Sequence, residues 1–224
     1  MANTPRARGL KPVQDLSGGA WMGKATPYYM NANSGGAAGA AACGIGSVVA
    51  ITGANDESGN GLRVVRTFNN GYMTAGEATA TASIASIPVG VVVGFDLDPT
   101  NLNLAGTYRA ISTARLVYVC DDPDALFEIQ EDSNGAQGGL SPASVGLNAT
   151  VTSETVSTTT GLSNIELDTS AVAATASFPL RILAFARRVD NEVSSSYAKV
   201  IVKFTRHANA TLVADWTNTF NAGV

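Results

Sequence analysis

The apolar runs of this chain are short, and turn residues separate them. GIGSVVAIT at 44–52, LRVVRTF at 62–68 and VGVVVGF at 89–95 are rich in Val and Ile, and the loops between them are rich in Gly, Asn and Ser. Runs of β-branched residues bounded by turn residues are typical of strands. The pattern predicts that the first two runs pair across the loop at 54–61, and that the third is a central strand.

The second half of the chain continues this pattern. LRILAFARR at 180–188 and AKVIVKFTR at 198–206 alternate apolar and polar residues, so each should have one buried and one solvent-facing side. SVGLNATVT at 144–152 adds another strand, and no window shows the 3.6-residue period of an amphipathic helix. We therefore expect an all-β protein of roughly eight to ten short strands, either a small barrel or a two-sheet sandwich.

Three segments differ in composition along the chain. Residues 1–44 contain Pro, Gly, Ala and Asn without a sustained period, which predicts an extended N-terminal arm. Residues 45–206 contain the predicted strands and form the barrel or sandwich domain. Residues 207–224 form a polar C-terminal tail.

An acidic knot lies between two predicted strands, RLVYVC at 115–120 and ALFEIQE at 125–131. Asp121, Asp122 and Asp124, together with the intervening proline, have the composition of a tight turn. The simplest interpretation is a hairpin in which the two strands pair with each other.

The carboxylates of this region also allow a catalytic interpretation. Glycoside hydrolases use two carboxylates as acid and base. The candidates for such a pair are Asp121, Asp122, Asp124, Glu128, Glu131 and Asp132. However, Glu128 lies between Phe127 and Ile129, so alternation places it on the solvent face. Aromatic residues, which hold sugars, make up only 7% of the chain. The sequence favours the turn over the enzyme.

Other catalytic, metal and cofactor signals are weak. The single histidine, His207, follows the last predicted strand, and a surface or partner-contact role is expected for it. The Gly-rich stretch at 34–46 lacks the Lys-Ser/Thr of a phosphate loop. Asp96, Asp98 and Asn101 offer oxygens but lack the spacing of a calcium loop, so a turn is favoured. We expect no catalysis, no small-molecule substrate, no metal and no cofactor.

The charge distribution points to a protein partner. Only 14% of residues are charged and the net charge is −4, so the surface suits packing against other protein. The first thirty residues are an exception, because Arg6, Arg8, Lys11 and Lys24 face only Asp15. An acidic protein surface is a better partner for this region than nucleic acid, since a dense basic patch is missing. No apolar stretch is long enough to span a bilayer, so no membrane association is expected.

Five aromatic residues, including both tryptophans, lie in the two end segments of the chain. Aromatic and arginine side chains commonly anchor interfaces, although these aromatics could equally seal the ends of the β domain. The candidate partner-binding residues are Arg6, Arg8, Trp21, Tyr28, Tyr29, Trp216 and Phe220.

Several segments together resemble a family of tailed-bacteriophage structural proteins, the head decoration or cement proteins. The resemblance covers most of residues 11–205. It is carried by GGAWMGKATPYYM, by VVVGF followed by an Asp/Pro/Asn/Leu segment, by ARLVYVCDDPDALFEIQED, and by the RVDNE turn. The Ala/Gly-rich stretch at 31–44 and the tail after Arg206 depart from it. None of these segments is a catalytic motif, so the resemblance is one of overall pattern.

The resemblance implies a β-protein that sits on the exterior of the capsid. Because the first thirty residues contain no apolar signal segment, we expect synthesis in the host cytoplasm. Such a protein would bind the major capsid protein, bridge coat subunits and act as a dimer or trimer. Deleting residues 1–30 should then weaken shell binding and leave the β domain folded. A tail or baseplate component remains the alternative, and a glycan-degrading hydrolase a more distant one.

Overall fold

A computed structural model describes residues 3–32, 41–68, 87–97, 107–134, 139–175 and 178–210. This part of the chain contains thirteen strands and one turn of 3-10 helix at Pro142–Ser144. The strands are β1 (Lys11–Asp15), β2 (Thr26–Met30), β3 (Cys43–Gly44), β4 (Val48–Ile51), β5 (Val65–Thr67), β6 (Pro88–Phe95), β7 (Tyr108–Arg109), β8 (Arg115–Cys120), β9 (Ala125–Gln130), β10 (Asn148–Val151), β11 (Leu167–Ala173), β12 (Leu180–Phe185) and β13 (Lys199–Phe204).

The strands form two large antiparallel sheets. One has six strands in the order β1-β9-β13-β12-β10-β11, and the other has five in the order β2-β8-β6-β4-β5, while β3 and β7 make a small separate pair. Neither sheet closes into a barrel within the described residues. The all-β prediction is confirmed, and of its two forms the structure has the two-sheet sandwich.

The main core lies between the two sheets. Val48 and Val91 of the five-stranded sheet pack in the same buried cluster as Phe127, Ile182 and Val202 of the six-stranded sheet. Alternation along β4 and β6 places their intervening residues in a second buried cluster on the opposite face. The five-stranded sheet is therefore buried on both faces, which explains why β6 is almost continuously apolar.

Most of the predicted strands are confirmed. β4 pairs antiparallel with β5, and β6 is the middle strand of its sheet. β12 pairs antiparallel with β13, whose buried and partly exposed residues alternate strictly.

The predicted hairpin at the acidic knot is wrong. β8 belongs to the five-stranded sheet and β9 to the six-stranded sheet, so Asp121–Asp124 carry the chain from one sheet to the other. Turn composition indicates that the chain reverses, but it does not determine whether the flanking strands pair with each other. Here both strands contribute to the core between the sheets, through Cys120 and Ala125 among others.

The structure also differs from the predicted arm at residues 1–44. β1 is an edge strand of the six-stranded sheet, where it pairs with β9, and β2 is an edge strand of the five-stranded sheet, where it pairs with β8. Each strand contains a proline, which edge positions tolerate because one side of the strand makes no ladder hydrogen bonds. Short strands of this composition carry little periodic signal, so the sequence pattern missed them.

Candidate partner-binding site

A cleft of about 180 Å³ lies where the N-terminal segment runs beside β9 and β13. Its charged lining is mostly cationic, although the whole chain carries a net charge of −4. The cations are Arg6, Arg8, Lys11, Arg188 and Lys199, and the acids are Glu128 and Asp190.

Backbone contacts hold the N-terminal side of this cleft in place. Lys11 lies opposite Glu128 in the β1–β9 ladder, and the Arg6 N–H donates to Gln130 Oε1 at 2.9 Å. Between them, Gly9 has a positive φ of 66° and crosses so close to Gly46 that a Cβ on Gly9 would collide with the Gly46 backbone. The arginines flanking this crossing are therefore carried on an anchored backbone.

Two of the five cations are already compensated. Arg188 Nη1 lies 2.8 Å from Glu128 Oε1, and Arg188 Nε lies 3.0 Å from Asp190 Oδ1. Lys199 Nζ lies 3.0 Å from Asp190 Oδ2. Hydrogen bonds from Arg188 and then from Lys199 lower the pKa of Asp190 to about 2. These four groups form a charge network at one end of the cleft.

The other three cations have exposed side chains. Arg6, Arg8 and Lys11 make no ion pair with any of the described residues. The cleft therefore presents uncompensated positive charge to solvent, and it can attract an acidic group of a partner. The sequence had singled out Arg6 and Arg8, but Arg188 and Lys199 come from the other end of the chain and joined the site only through folding.

The aromatic candidates are placed differently. Tyr28 is 1% exposed and belongs to the second buried cluster, so in this structure it does not face a partner. Trp21 is half-buried against the main core, and Tyr29 is half-buried on β2. Trp216 and Phe220 lie outside the described residues.

The acidic knot is tied into the fold by hydrogen bonds. Asp121 Oδ1 accepts from Thr26 Oγ1 at 2.8 Å, while Asp121 Oδ2 accepts from Tyr28 Oη at 2.8 Å and from Asn209 Nδ2 at 3.1 Å. Asp121 thus joins β2, the crossing between the sheets and the segment that follows β13. Asp124 is more exposed and makes a 2.7 Å pair with Lys203.

This arrangement predicts unequal effects of two substitutions in the same knot. Asp121→Ala should lower the free energy of unfolding by about 2–3 kcal/mol, because it leaves several polar groups without their acceptor. Asp124→Ala, which removes one surface pair, should lower it by at most about 1 kcal/mol. Urea unfolding followed by circular dichroism measures both. Equal effects would mean that Asp121 is not the residue that ties this crossing together.

Glu128 on β9 and Glu131, which follows that strand, have different hydrogen-bonding partners. Glu128 lies on the outer face of its sheet, as alternation predicted, and pairs with Arg188. Glu131 is fully buried, and its carboxylate accepts the Leu140 N–H at 2.8 Å and the Ala198 N–H at 3.3 Å. Burial raises the pKa of Glu131, against the effect of these hydrogen bonds. The geometry gives Glu131 the role of holding the segment at 139–140 and the start of β13.

His207 is buried, so the predicted surface or partner-contact role is wrong. Its side chain is 3% exposed, and its Nδ1 accepts the Asn209 N–H at 3.1 Å. After β13 the chain turns back onto the five-stranded sheet, where the Ala208 N–H donates to the Pro88 carbonyl at 2.9 Å. Burial lowers the pKa of His207, although Asp121 and Asp122 act in the opposite sense.

A further buried carboxyl, Glu154, was not predicted from the sequence. Glu154 Oε1 accepts hydrogen bonds from Ser47 Oγ at 3.0 Å and from Ser163 Oγ at 2.9 Å. Burial raises the pKa of Glu154 to about 8, and the two serine hydrogen bonds only partly offset this. Its sequence context, a Ser/Thr-rich stretch, gave no sign of burial.

Neither a metal centre nor a membrane span is found in the residues that the structure describes. No three His, Cys, Asp or Glu side chains of this part of the chain come together as metal ligands. Of the suggested calcium ligands, Asp98 and Asn101 lie outside the described residues. The described residues also include no helix that is long and apolar enough to cross a bilayer.

The cationic cleft is thus the surface feature with the clearest binding chemistry. It combines anchored backbone, exposed guanidinium groups and an excess of positive charge. Comparisons with protein-family models, with curated proteins and with solved structures find no match for this chain.

Proposed function

We propose that this protein is a structural virion protein that binds the outside of a phage capsid and stabilises it by bridging coat subunits. The observation that carries the proposal is the cleft in which Arg6, Arg8 and Lys11 present uncompensated positive charge on an otherwise acidic chain. Such a local reversal of charge favours contact with an acidic protein surface. The resemblance to head decoration proteins supplies the identity of that surface.

Exposed apolar side chains support a role in protein contact. Met22 is 82% exposed, Ile111 is 66% exposed, and Val189, next to the cleft, is fully exposed. Val189 lies between Arg188 and Asp190, which line the cleft. Interfaces combine an apolar centre with a polar rim, and Val189 places an exposed apolar side chain beside the charged cleft.

Binding to a lattice would act through repetition. Each copy of the protein would make modest contacts, and neighbouring copies or a dimer or trimer would multiply them through avidity. Under this proposal the virion exterior is the site of action and the major capsid protein is the partner.

Removing the cleft's free cations should weaken shell binding. We expect the triple variant Arg6→Ala/Arg8→Ala/Lys11→Ala to keep its fold, because these side chains are exposed, and to lose about tenfold or more in affinity for undecorated heads. Raising the salt concentration should lower the affinity of the wild type for heads and reduce the difference in affinity between the wild type and the variant. Co-sedimentation with heads over a range of protein concentrations measures these affinities.

Lys24→Ala provides the matched control. Lys24 is an exposed cation of the same N-terminal region, but it lies near Asp15 and Asp122 rather than in the cleft. Its replacement should leave shell binding unchanged. Equal binding by the wild type and the triple variant would remove the cleft from the interface.

A further inference from the structure

A second cleft, of about 440 Å³, follows one edge of β12. It is lined by consecutive residues from Leu183 to Arg188, and also by Pro142, Val145, Asn191 and Val193. Val145 and Val193 are 40% and 44% exposed, so apolar surface faces the open space. We call this feature the β12 groove.

The segment of this chain that pairs with β12, residues 146–149, covers its edge only as far as Ile182. The Ile182 N–H donates to the Leu147 carbonyl at 3.0 Å, and the Gly146 N–H donates to the Ile182 carbonyl at 2.8 Å. Before Gly146 the chain follows the 3-10 turn at Pro142–Ser144 instead of continuing beside β12. Among the described residues, no backbone group makes a ladder bond with this edge beyond Ile182.

The backbone of Phe185 points toward this open edge. Phe185 lies opposite Val200 in the β12–β13 ladder, and the next residue, Ala186, donates its N–H to the Lys199 carbonyl at 2.9 Å. Successive residues of an antiparallel strand direct their backbone groups to opposite sides. The N–H and C=O of Phe185 therefore point away from β13, where they can pair with an additional strand.

The rim of the groove is cationic. Arg187 lines the groove, is exposed and makes no ion pair with the described residues. Arg188, whose charge Glu128 and Asp190 compensate, lines both the groove and the neighbouring cationic cleft, which carries the free charges of Arg6 and Arg8. An occupant with carboxylates is favoured by this rim. A second copy of this chain would bring the same cations with it, so charge disfavours self-pairing.

We infer that the β12 groove binds an extended, acidic and apolar segment of a partner protein, which adds to the six-stranded sheet as a strand beside Leu183–Ala186. Backbone bonds to Phe185 would provide the alignment, Val145 and Val193 would contact alternate apolar side chains, and Arg187 would meet a carboxylate. This inference rests on the proposed function in taking the partner to be a protein, and it names the chemistry of the segment that is bound.

Selection from a library of random heptapeptides tests this inference directly, with no capsid present. The full-length chain should enrich peptides that alternate apolar residues and contain Asp or Glu. Val145→Asp places a negative charge beside the carboxylates of the selected peptide and should weaken peptide binding by about tenfold or more. Arg187→Glu should weaken it by about fivefold. Leu97→Asp, a change of the same type at an exposed residue outside the groove, should leave its binding unchanged.

Hydrogen exchange distinguishes strand addition from simple contact. On binding of the selected peptide, exchange of the Phe185 amide should slow, while the already bonded Ala186 amide should change little. A version of the peptide with N-methyl groups on the edge that pairs should fail to bind.

Three results of the peptide experiments would overturn the inference. They are the absence of any enriched peptide sensitive to Val145→Asp or Arg187→Glu, enrichment of basic peptides, and peptide binding that leaves exchange at Phe185 unchanged. Concentration-dependent dimers that Val145→Asp dissociates in sedimentation velocity would assign the groove to a second copy and would also overturn it. Shell binding is measured separately, so failure here and failure of the proposed function are distinguishable.

Discussion

Deletion of residues 1–30 should abolish cooperative folding of the sandwich. The deletion removes β1 and β2, together with the buried side chains of Leu10, Tyr28 and Met30. Burying three side chains of this size contributes about 5–9 kcal/mol, which is comparable to the whole stability of a typical domain. The deletion also leaves the edges of β8 and β9 unpaired, and unpaired strand edges promote aggregation.

Circular dichroism during heating measures whether unfolding is cooperative, and size-exclusion chromatography measures whether the protein is compact or aggregated. The wild type and the variant Arg6→Ala/Arg8→Ala/Lys11→Ala should both show a cooperative transition, because the latter removes only exposed side chains from the same segment. The truncated chain should show none, or should elute as aggregate. A truncated chain that melts cooperatively and elutes as a compact species would restore the separate arm that the sequence pattern predicted.

The second large effect concerns the pH dependence of stability at Glu154. Its pKa is raised to about 8 in the folded protein, against 4.5 in the unfolded chain. Between these pH values the folded state retains a proton that the unfolded state has lost. Loss of this proton favours the unfolded state, so the free energy of unfolding falls progressively as the pH rises. The loss approaches about 3–5 kcal/mol by pH 8, and it is absent below pH 4.5, where both states are protonated.

Glu154→Gln removes this titration. The substitution keeps an oxygen that can accept from Ser47 and Ser163, and any cost of the introduced amide is the same at every pH. Relative to the wild type, the variant should therefore gain stability as the pH rises from 4 to 8. Other titrating groups, including the buried His207, cancel in this difference.

Urea unfolding of both proteins at several pH values measures the difference. Glu57→Gln, the same substitution at an exposed position, controls for the loss of one surface charge. A difference between Glu154→Gln and the wild type that stays constant from pH 4 to pH 8 would contradict the raised pKa.

The sequence predicted strands where burial imposes a strong pattern. β6 is apolar almost throughout because both faces of its sheet are covered, and β13 alternates because only one side is buried. β1 and β2 escaped prediction because they are five-residue edge strands that contain proline. Their stability depends on pairing with β9 and β8, which no local pattern encodes.

The candidate site was predictable only in part. Arg6 and Arg8 stood out because few acids surround them in the sequence, and the cleft does contain them. Lys199 joined them through the β9–β13 pairing, and Arg188, which follows β12, through its ion pair with Glu128 of β9; both contacts depend on long-range register. Tyr28 was predicted to bind a partner but is buried. A tyrosine has an apolar ring and a polar hydroxyl, so it suits an interface as well as a core. Here the hydroxyl donates a hydrogen bond to Asp121.

The most direct test of the central claim is to count how many copies of the protein bind per coat subunit on undecorated heads of its own phage, before and after expansion. We expect saturable co-sedimentation at a simple ratio, with more binding to expanded heads and less binding by Arg6→Ala/Arg8→Ala/Lys11→Ala. The absence of binding to either form of the head would contradict a decoration role and would favour a tail or baseplate component instead.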